Sequence, residues 1–317
     1  MSNLAIAIKT EDLTKIYDGI KVVDHLNFQV KKGELVSLLG PNGAGKTTTI
    51  KMLTTVLKPD EGTAFINGYD IRKNKMEIRK IIGVTPQELV FYEDLTAREN
   101  LIFFGQMHGF PKTRLKEDAD RILKKLGLAE HKGKTKNFSG GMKRRLNIGI
   151  NLIINPQILF LDEPTAGLDP QARHVIWDYI REIKQEGRTI VLTTHDMQEA
   201  DILSDRVIII DNGKIIAEGT PDALKDQYSE KNIVEIEFKN APKISEIKEK
   251  MKDLEFIKDI LVQGKTVSIF FNGGIINFTT ILNRGIITDV SELESMHLRQ
   301  NTLEDVFLRL TGRRLHD

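Results

Sequence analysis

Residues 40–48 read GPNGAGKTT (Gly40, Pro41, Asn42, Gly43, Ala44, Gly45, Lys46, Thr47, Thr48) and follow directly on the apolar run LVSLL. The stretch fits Gly-x4-Gly-Lys-Thr and stands in the required context, between an apolar strand and a helix. Glycines let backbone N–H groups converge on phosphate oxygens with no Cβ in the way. A helix opening near Gly45 adds unpaired N–H groups and the positive end of its dipole. Lys46 is placed to reach the β- and γ-phosphates of a nucleotide. The Thr47 hydroxyl suits Mg²⁺, and Thr48 suits a nearer phosphate. The loop predicts a bound nucleoside triphosphate with magnesium; a strand-to-helix turn that shares the letters is the structural alternative.

The natural partner of such a loop is an apolar strand ending in carboxylates, and ILFLDE (158–163) is one. Asp162 would hold magnesium, directly or through water. Glu163 is the next residue, and side chains alternate along a strand, so it is free to polarise an attacking water. An ordinary acidic strand end is the alternative.

Outward from these two stretches the chain alternates. LNFQV and LVSLL read as strands on either side of a turn at Lys32-Gly33-Glu34, and TTTIKMLTTVL as the helix after the loop. TAFING is a strand, and EIRKIIGVTPQ holds a strand ending at Pro86. DLTARENLIFFGQMHG opens with a capping box, Thr96 to Glu99. TRLKEDADRILKKLGL and IWDYIREIKQEG have helical spacing. ILFLD is a continuous apolar strand, as a buried parallel sheet requires, and TIVLTTH and RVIIID are two more strands. This predicts an α/β domain over 1–224. From 225 to 317 the rhythm changes: strand NIVEIEFK, helix ISEIKEKMKDL, hairpin FIKDILVQ/KTVSIFFN around Gly264, helix IINFTTILNRG, a strand within IITDVSELESMHLR, and a closing helix NTLEDVFLRLTG. The order β-α-β-β-α-β predicts a small α+β ferredoxin-like domain with one extra helix.

Bulk composition narrows the function. The 317 residues carry a formal net charge of +1, so nothing points to a nucleic-acid partner. There is no cysteine, which excludes disulfides, thiolate metal sites and cysteine nucleophiles. The start MSNLAIAIKTEDL lacks the pattern of a signal peptide, and the longest apolar stretch is broken by Asn151, Asn155 and Pro156, short of the ~20 apolar residues that span a bilayer. The expectation is a soluble cytoplasmic protein that reaches any membrane by docking to another chain.

NFSGGMKRR (137–145) lies just ahead of ILFLDE, and with the stretches above it resembles the signature motif of ATP-binding cassette (ABC) ATPases. Other family elements stand in order: Tyr17 like the adenine-stacking aromatic, Gln87 like the glutamine loop, Ala166-Gly167-Leu168-Asp169 like the interface loop, and His195 like the switch histidine. The match covers about residues 10–222, a P-loop cassette with a mixed sheet and a helical signature subdomain. The resemblance implies a head-to-tail homodimer that sandwiches two ATP-Mg²⁺. In it Ser139, Gly140 and Gly141 contact the γ-phosphate held by the other chain and Asp169 crosses to the partner. Glu163 is then the general base, His195 orients the water or bonds the γ-phosphate, and Gln87 senses magnesium and water together with Thr47 and Asp162. The signature departs from LSGGQ at Phe138, which still suits an apolar slot, and at Met142, which has no amide to donate. Lys143, Arg144 and Arg145 sit where the helix dipole disfavours cations and read as a solvated basic face in preference to a nucleotide contact.

The resemblance extends to what the ATPase drives. ELVFYEDLTARENLIFFG (Glu88–Gly105) resembles the surface that receives a separate transmembrane permease subunit, with Phe91, Tyr92 and Leu95 as anchors or simply as packing. TLEDVFLRLTGR after a small appended domain resembles ATPase subunits of bacterial and archaeal exporters of drugs, antibiotics, polysaccharides or sodium. The expected function is ATP hydrolysis that drives a membrane exporter from the inner face of the membrane. A non-transport ABC ATPase or a nucleotide-dependent regulatory module is the alternative. The appended domain stabilises the dimer, regulates it, or merely caps the fold.

Overall fold

The computed structural model describes residues 5–228, 232–284 and 293–312. The chain divides into two compact units, Met1–Thr220 and Pro221–Asp317.

The first unit contains the strands β1 (Ile6–Tyr17), β2 (Ile20–Leu26), β3 (Gln29–Lys31) and β4 (Leu35–Leu39), then helix α1 (Lys46–Leu53). It continues with β5 (Glu61–Ile66), β6 (Tyr69–Asp70), α2 (Lys75–Ile81) and β7 (Ile82–Thr85). The helices α3 (Ala97–Met107), α4 (Lys112–Lys125) and α5 (Gly140–Leu152) follow. The unit then runs β8 (Ile158–Asp162), α6 (Pro170–Gln185), β9 (Thr189–Thr194), α7 (Met197–Leu203), β10 (Arg206–Asp211) and β11 (Lys214–Gly219).

Two sheets result. The outer one, antiparallel, runs β2-β1-β5-β6 with β3 also on β1. Its first hairpin turns at Asp18-Gly19, both with positive φ (49° and 78°), the geometry that matches strand twist in a two-residue loop. The inner sheet runs β11-β10-β4-β9-β8-β7, parallel except for β11. Every residue of β4, β8 and β9 is buried, which is why these strands are largely apolar and do not alternate. One core, including Val23, Val36, Ile50 and Phe160, holds the two sheets and α1 together. A second, including Leu101, Leu115, Leu146, Trp177 and Ile180, packs α3–α6. The capping box of α3 is complete, Thr96 to Glu99 in both directions.

Two local expectations shift. The helix after the phosphate loop stops at Leu53, and residues 77–81 extend α2, leaving only Ile82–Thr85 as strand. The strands β1, β2 and β11 go beyond the elements expected from pattern, whereas β10 is the expected RVIIID.

The second unit holds α8 (Pro221–Tyr228), β12 (Asn232–Phe238), α9 (Ile244–Met251), β13 (Ile257–Gln263), β14 (Thr266–Phe271), α10 (Ile275–Asn283), β15 (Leu293–Gln300) and α11 (Leu303–Thr311). Its sheet runs β13-β14-β12-β15 with all pairings antiparallel, the order that a β-α-β-β-α-β chain produces when each helix crosses one strand. Val234, Ile236, Val267 and Phe271 meet Ile247, Met251 and Ile281 in its core. α11 packs against α8, and Asn301 donates to the Lys225 carbonyl. The expected boundary at Leu224 falls inside α8. Residues 286–292 of the expected last strand and Arg313 lie outside the described residues.

Candidate functional site

In a parallel sheet, ligands bind beyond the carboxyl ends of the strands. β9 lies between β4 and β8, so three strand ends meet there: the Gly40–Thr48 loop after β4, Asp162-Glu163 at β8, and Thr193, Thr194 and His195 at β9.

The loop is wound tightly into the unit. Gly40 donates to the Thr194 carbonyl, and a Cβ on Gly40 would stand 2.1 Å from the Ile210 oxygen. Gly45 has φ 100°, and a Cβ there would meet the Val22 oxygen at 2.5 Å. Both glycines are therefore demanded by close backbone approach. Ala44 is buried, Pro41 and Thr48 are half-buried, and Asn42 and Gly43 are exposed at the rim. Lys46 is folded onto its own loop, donating to the Gly40 (2.7 Å) and Pro41 (2.9 Å) carbonyls, with Glu163 Oε1 at 3.7 Å. Burial lowers its pKa, and the Glu163 and Asp162 carboxylates oppose that.

Thr47 Oγ1 donates to Asp162 Oδ1 at 3.0 Å, and Thr193 donates to the same oxygen. This pair of hard oxygens from a hydroxyl and a carboxylate fits Mg²⁺, which takes few protein ligands and completes its octahedron from phosphates and water. Glu163 is 8% exposed and has φ 47°, an unusual conformation for a glutamate. Its N–H points to the Thr193 oxygens, and its Oε1 lies 3.0 Å from His195 Nδ1. Glutamate, histidine and lysine thus converge within one chain. The strand ends at Asp162, so Glu163 takes its direction from this left-handed turn and not from strand alternation.

The remaining expected residues are placed differently. Tyr17 is 47% exposed at the tip of the β1–β2 hairpin, with Lys15 Nζ 5.2 Å from its ring centroid. That hairpin touches the loop through Val22. Gln87 has an exposed side chain after β7. Ser139 is the N-cap of α5 and accepts from Met142 N; Asp169 caps α6 and accepts from Ala172 N at 2.9 Å. Gly140 is exposed, and Gly141 faces Ala172, where a Cβ would stand 3.1 Å from the alanine methyl. Phe138 is buried, and Met142 packs on the helical core.

The basic run is a correction. Lys143 pairs with Glu93 on the surface, but Arg145 donates inward to the Leu126 carbonyl, and Arg144 is only 4% exposed. Arg144 donates to the carbonyls of Gln87 and Pro164, among others. A surface reading failed because long cations are buried where carbonyls surround the head group, which helical spacing does not report. Also not singled out from sequence was Glu199, which accepts from Thr165 Oγ1 (2.8 Å) and Trp177 Nε1 (3.1 Å) behind the loop after Glu163. Burial raises its pKa, while bonds from Thr194, Thr165 and Trp177 work the other way.

Comparison with known proteins follows the same lines. The ABC transporter family profile matches residues 23–166. The daunorubicin/doxorubicin resistance ATP-binding protein DrrA of Streptomyces peucetius is 38% identical, over 96% of this chain and 92% of that protein. The linearmycin resistance ATP-binding protein LnrL of Bacillus subtilis is 37% identical over 98% and 100%. The Nod factor export ATP-binding protein I of Ralstonia nicotianae is 37% identical over 98% and 95%. Among solved structures, an ATP-binding subunit of an ABC transporter superposes with TM-score 0.63 at 32% identity, over 70% of this chain and 93% of that one. A dimeric post-hydrolysis ATP-binding cassette bound to ADP and Pi superposes with TM-score 0.61 at 28% identity, over 67% and 98%. With the loop, the paired carboxylates, the histidine and the capped signature turn in place, and near-full-length likeness to ATP-binding proteins of transporters, the chain belongs to the ABC transporter family as an ATP-binding subunit.

Proposed function

We propose that two copies of this chain close head to tail around two ATP-Mg²⁺, and that this closure drives a separate permease. ATP hydrolysis is the activity of the cassette family to which the chain belongs. In the proposed site Lys46 leaves its own carbonyls for the β- and γ-phosphates, and Thr47 and Asp162 hold magnesium. Magnesium bound there would supply charge neutralisation to the phosphates. Glu163 takes a proton from the attacking water, and His195, 3.0 Å from its carboxylate, fixes the direction of that carboxylate. Tyr17 stacks on adenine, and Gln87 swings in from the surface.

One observation carries the dimer: Ser139, Gly140 and Asp169 are exposed, and among the described residues the hydroxyl and carboxylate serve helix caps. A helix N-terminus presented to solvent is an anion site, and the triphosphate of a second copy is the anion that fits it. Ligand bound solely by the closed pair stabilises that pair by about 2.7 kcal/mol at 100 times its dissociation constant. Hydrolysis then removes the γ-phosphate link.

The permease reading rests on Glu88–Gly105. Leu89, Val90, Tyr92 and Phe103 are exposed there, with Tyr92 and Phe103 edge to face at 4.8 Å. Beside them lies a cavity of about 340 Å³ lined by Ile50, Val56, Val84, Val90 and Phe104. Phe91 packs inward and Leu95 is half-buried, which leaves Tyr92 as the outward anchor. No helix among the described residues is long and apolar enough to cross a membrane, which supports docking to another chain at the inner face. The names of the relatives, resistance and export, carry the exporter reading to this chain, and no observation favours the non-transport alternative.

Glu163→Gln tests the reading. Turnover should fall about 10²- to 10⁴-fold, with an ATP-bound dimer accumulating on size-exclusion chromatography with light scattering. Normal turnover, or a monomer at saturating ATP-Mg²⁺, would reject it.

A further inference from the structure

Arg144 stands on α5, shortly after the Ser139 turn. Its guanidinium has five N–H bonds, and each meets a backbone carbonyl. Nε donates to Pro164 (2.6 Å), Nη1 to Gln87 (2.7 Å) and Pro86 (3.3 Å), and Nη2 to Asp162 (3.4 Å) and Glu163. No carboxylate touches the head group among these contacts. Burial lowers its pKa, and the negative fields of Glu199, Asp162 and Glu163 oppose this.

Desolvating a cation to meet carbonyls alone is a costly way to fill space. The planar fork does something that an apolar side chain cannot: it joins three segments in a fixed mutual orientation. Those segments are the signature helix α5, the seat of the glutamine loop at 86–87, and the backbone at 162–164. The last contains Glu163 at φ 47°, a conformation that persists only where the surroundings hold it. Thr193 fixes the Glu163 N–H and Arg144 fixes its carbonyl, so both peptide planes around the carboxylate are set. Glu199, bonded to Thr165, holds the far end of the same loop.

We propose that Arg144 is a positioning residue that aims the Glu163 carboxylate and makes that aim depend on where α5 and the glutamine loop stand. It touches no substrate and acts through Glu163. A shift of α5, such as a nucleotide engaging the Ser139 turn would cause, is delivered by one rigid side chain to the group that activates water. The proposal rests on Glu163 being that group.

Arg144→Lys in the full chain is the test, because it keeps the charge and loses the fork. With Mg-ATP, kcat should fall about 10- to 100-fold, the cost of a misaimed group, while the dissociation constant for ATP changes less than about threefold. In a Glu163→Gln background the same change should cost less than about twofold of the residual rate, because the residue it acts through is gone. Wild-type kcat, or an equal fold-loss in both backgrounds, overturns the proposal. If Arg144→Lys melts below the assay temperature, Arg144→Gln, which keeps two amide donors, is read in the same way. Failure of both to fold assigns Arg144 to folding alone and also overturns it. Should Glu163→Gln itself hydrolyse ATP at the wild-type rate, the base assignment fails instead, whatever Arg144 does.

Discussion

The phosphate loop and the signature turn are both helix N-termini built on glycine, yet they differ in how finished they are. The loop at Gly40–Thr48 is wrapped by its own unit. Gly40 is bonded to Thr194, Lys46 to its own carbonyls, and Thr47 to Asp162. The turn at Ser139–Gly141 looks outward, its hydroxyl accepting from Met142 N in the first turn of α5. One half of the site is thus assembled by a single chain, and the other is displayed for something outside it. On the proposed function, fuel binding and subunit pairing are coupled for that reason: the buried half would hold the nucleotide tail, and the exposed helix terminus would meet the phosphates held by a second copy.

Substitutions can break this contrast, and the strongest is Ser139→Asp. Aspartate caps a helix as well as serine, so the fold should be retained. Its charge would face the γ-phosphate of the second copy, and such repulsion costs several kcal/mol, on the order of 100-fold or more in turnover. ATP binding to the single chain should be unchanged; turnover at the wild-type level would mean that the turn never meets phosphate. Lys46→Ala acts on the other half. Losing one charge-assisted hydrogen bond should weaken ATP binding about 10- to 100-fold, read by titration of a fluorescent nucleotide. Unaltered affinity would show that Lys46 stays on its own carbonyls.

Glu199→Gln gives the smallest effect and concerns the loop after Glu163, which Glu199 holds through Thr165. Burial raises the Glu199 pKa. A carboxyl with a raised folded pKa contributes its stability in full below the ordinary carboxylate range and loses it as pH rises through the raised value. The wild-type melting temperature should therefore drop across that window by on the order of a few degrees, and the Gln variant should lack the slope. Parallel melting curves from acid to neutral pH would show that Glu199 does not titrate from a raised value.

Local signals carried much of the architecture. Apolar runs marked β4 and β8 because a strand buried on both faces has no reason to alternate. Thr96-x-x-Glu99 marked the start of α3 because the box is made by two side chains three residues apart. The Asp18-Gly19 hairpin was not read from the sequence, because the strands on either side are half-exposed and less plainly patterned. Arg144 was not legible. Its helical position opposes the dipole, and only carbonyls from distant segments explain it. Glu163 was recognisable as a residue, whereas its direction was not, since φ 47° breaks the alternation expected of a strand.

The sequence by itself determined the kind of chemistry, because Gly-x4-Gly-Lys-Thr, Asp-Glu and the histidine of LTTH are residue types whose donors, acceptors and backbone freedom suit one task in that order and context. Only the tertiary structure decided which of these groups share a site and which face outward. Strand order sets that: β9, late in the chain, slots between β4 and β8 and brings Thr193 and His195 to carboxylates they never approach in sequence. The same folding sets Arg144 among carbonyls and leaves Ser139 on the surface, although both belong to one helix, since burial is a property of neighbours and not of letters.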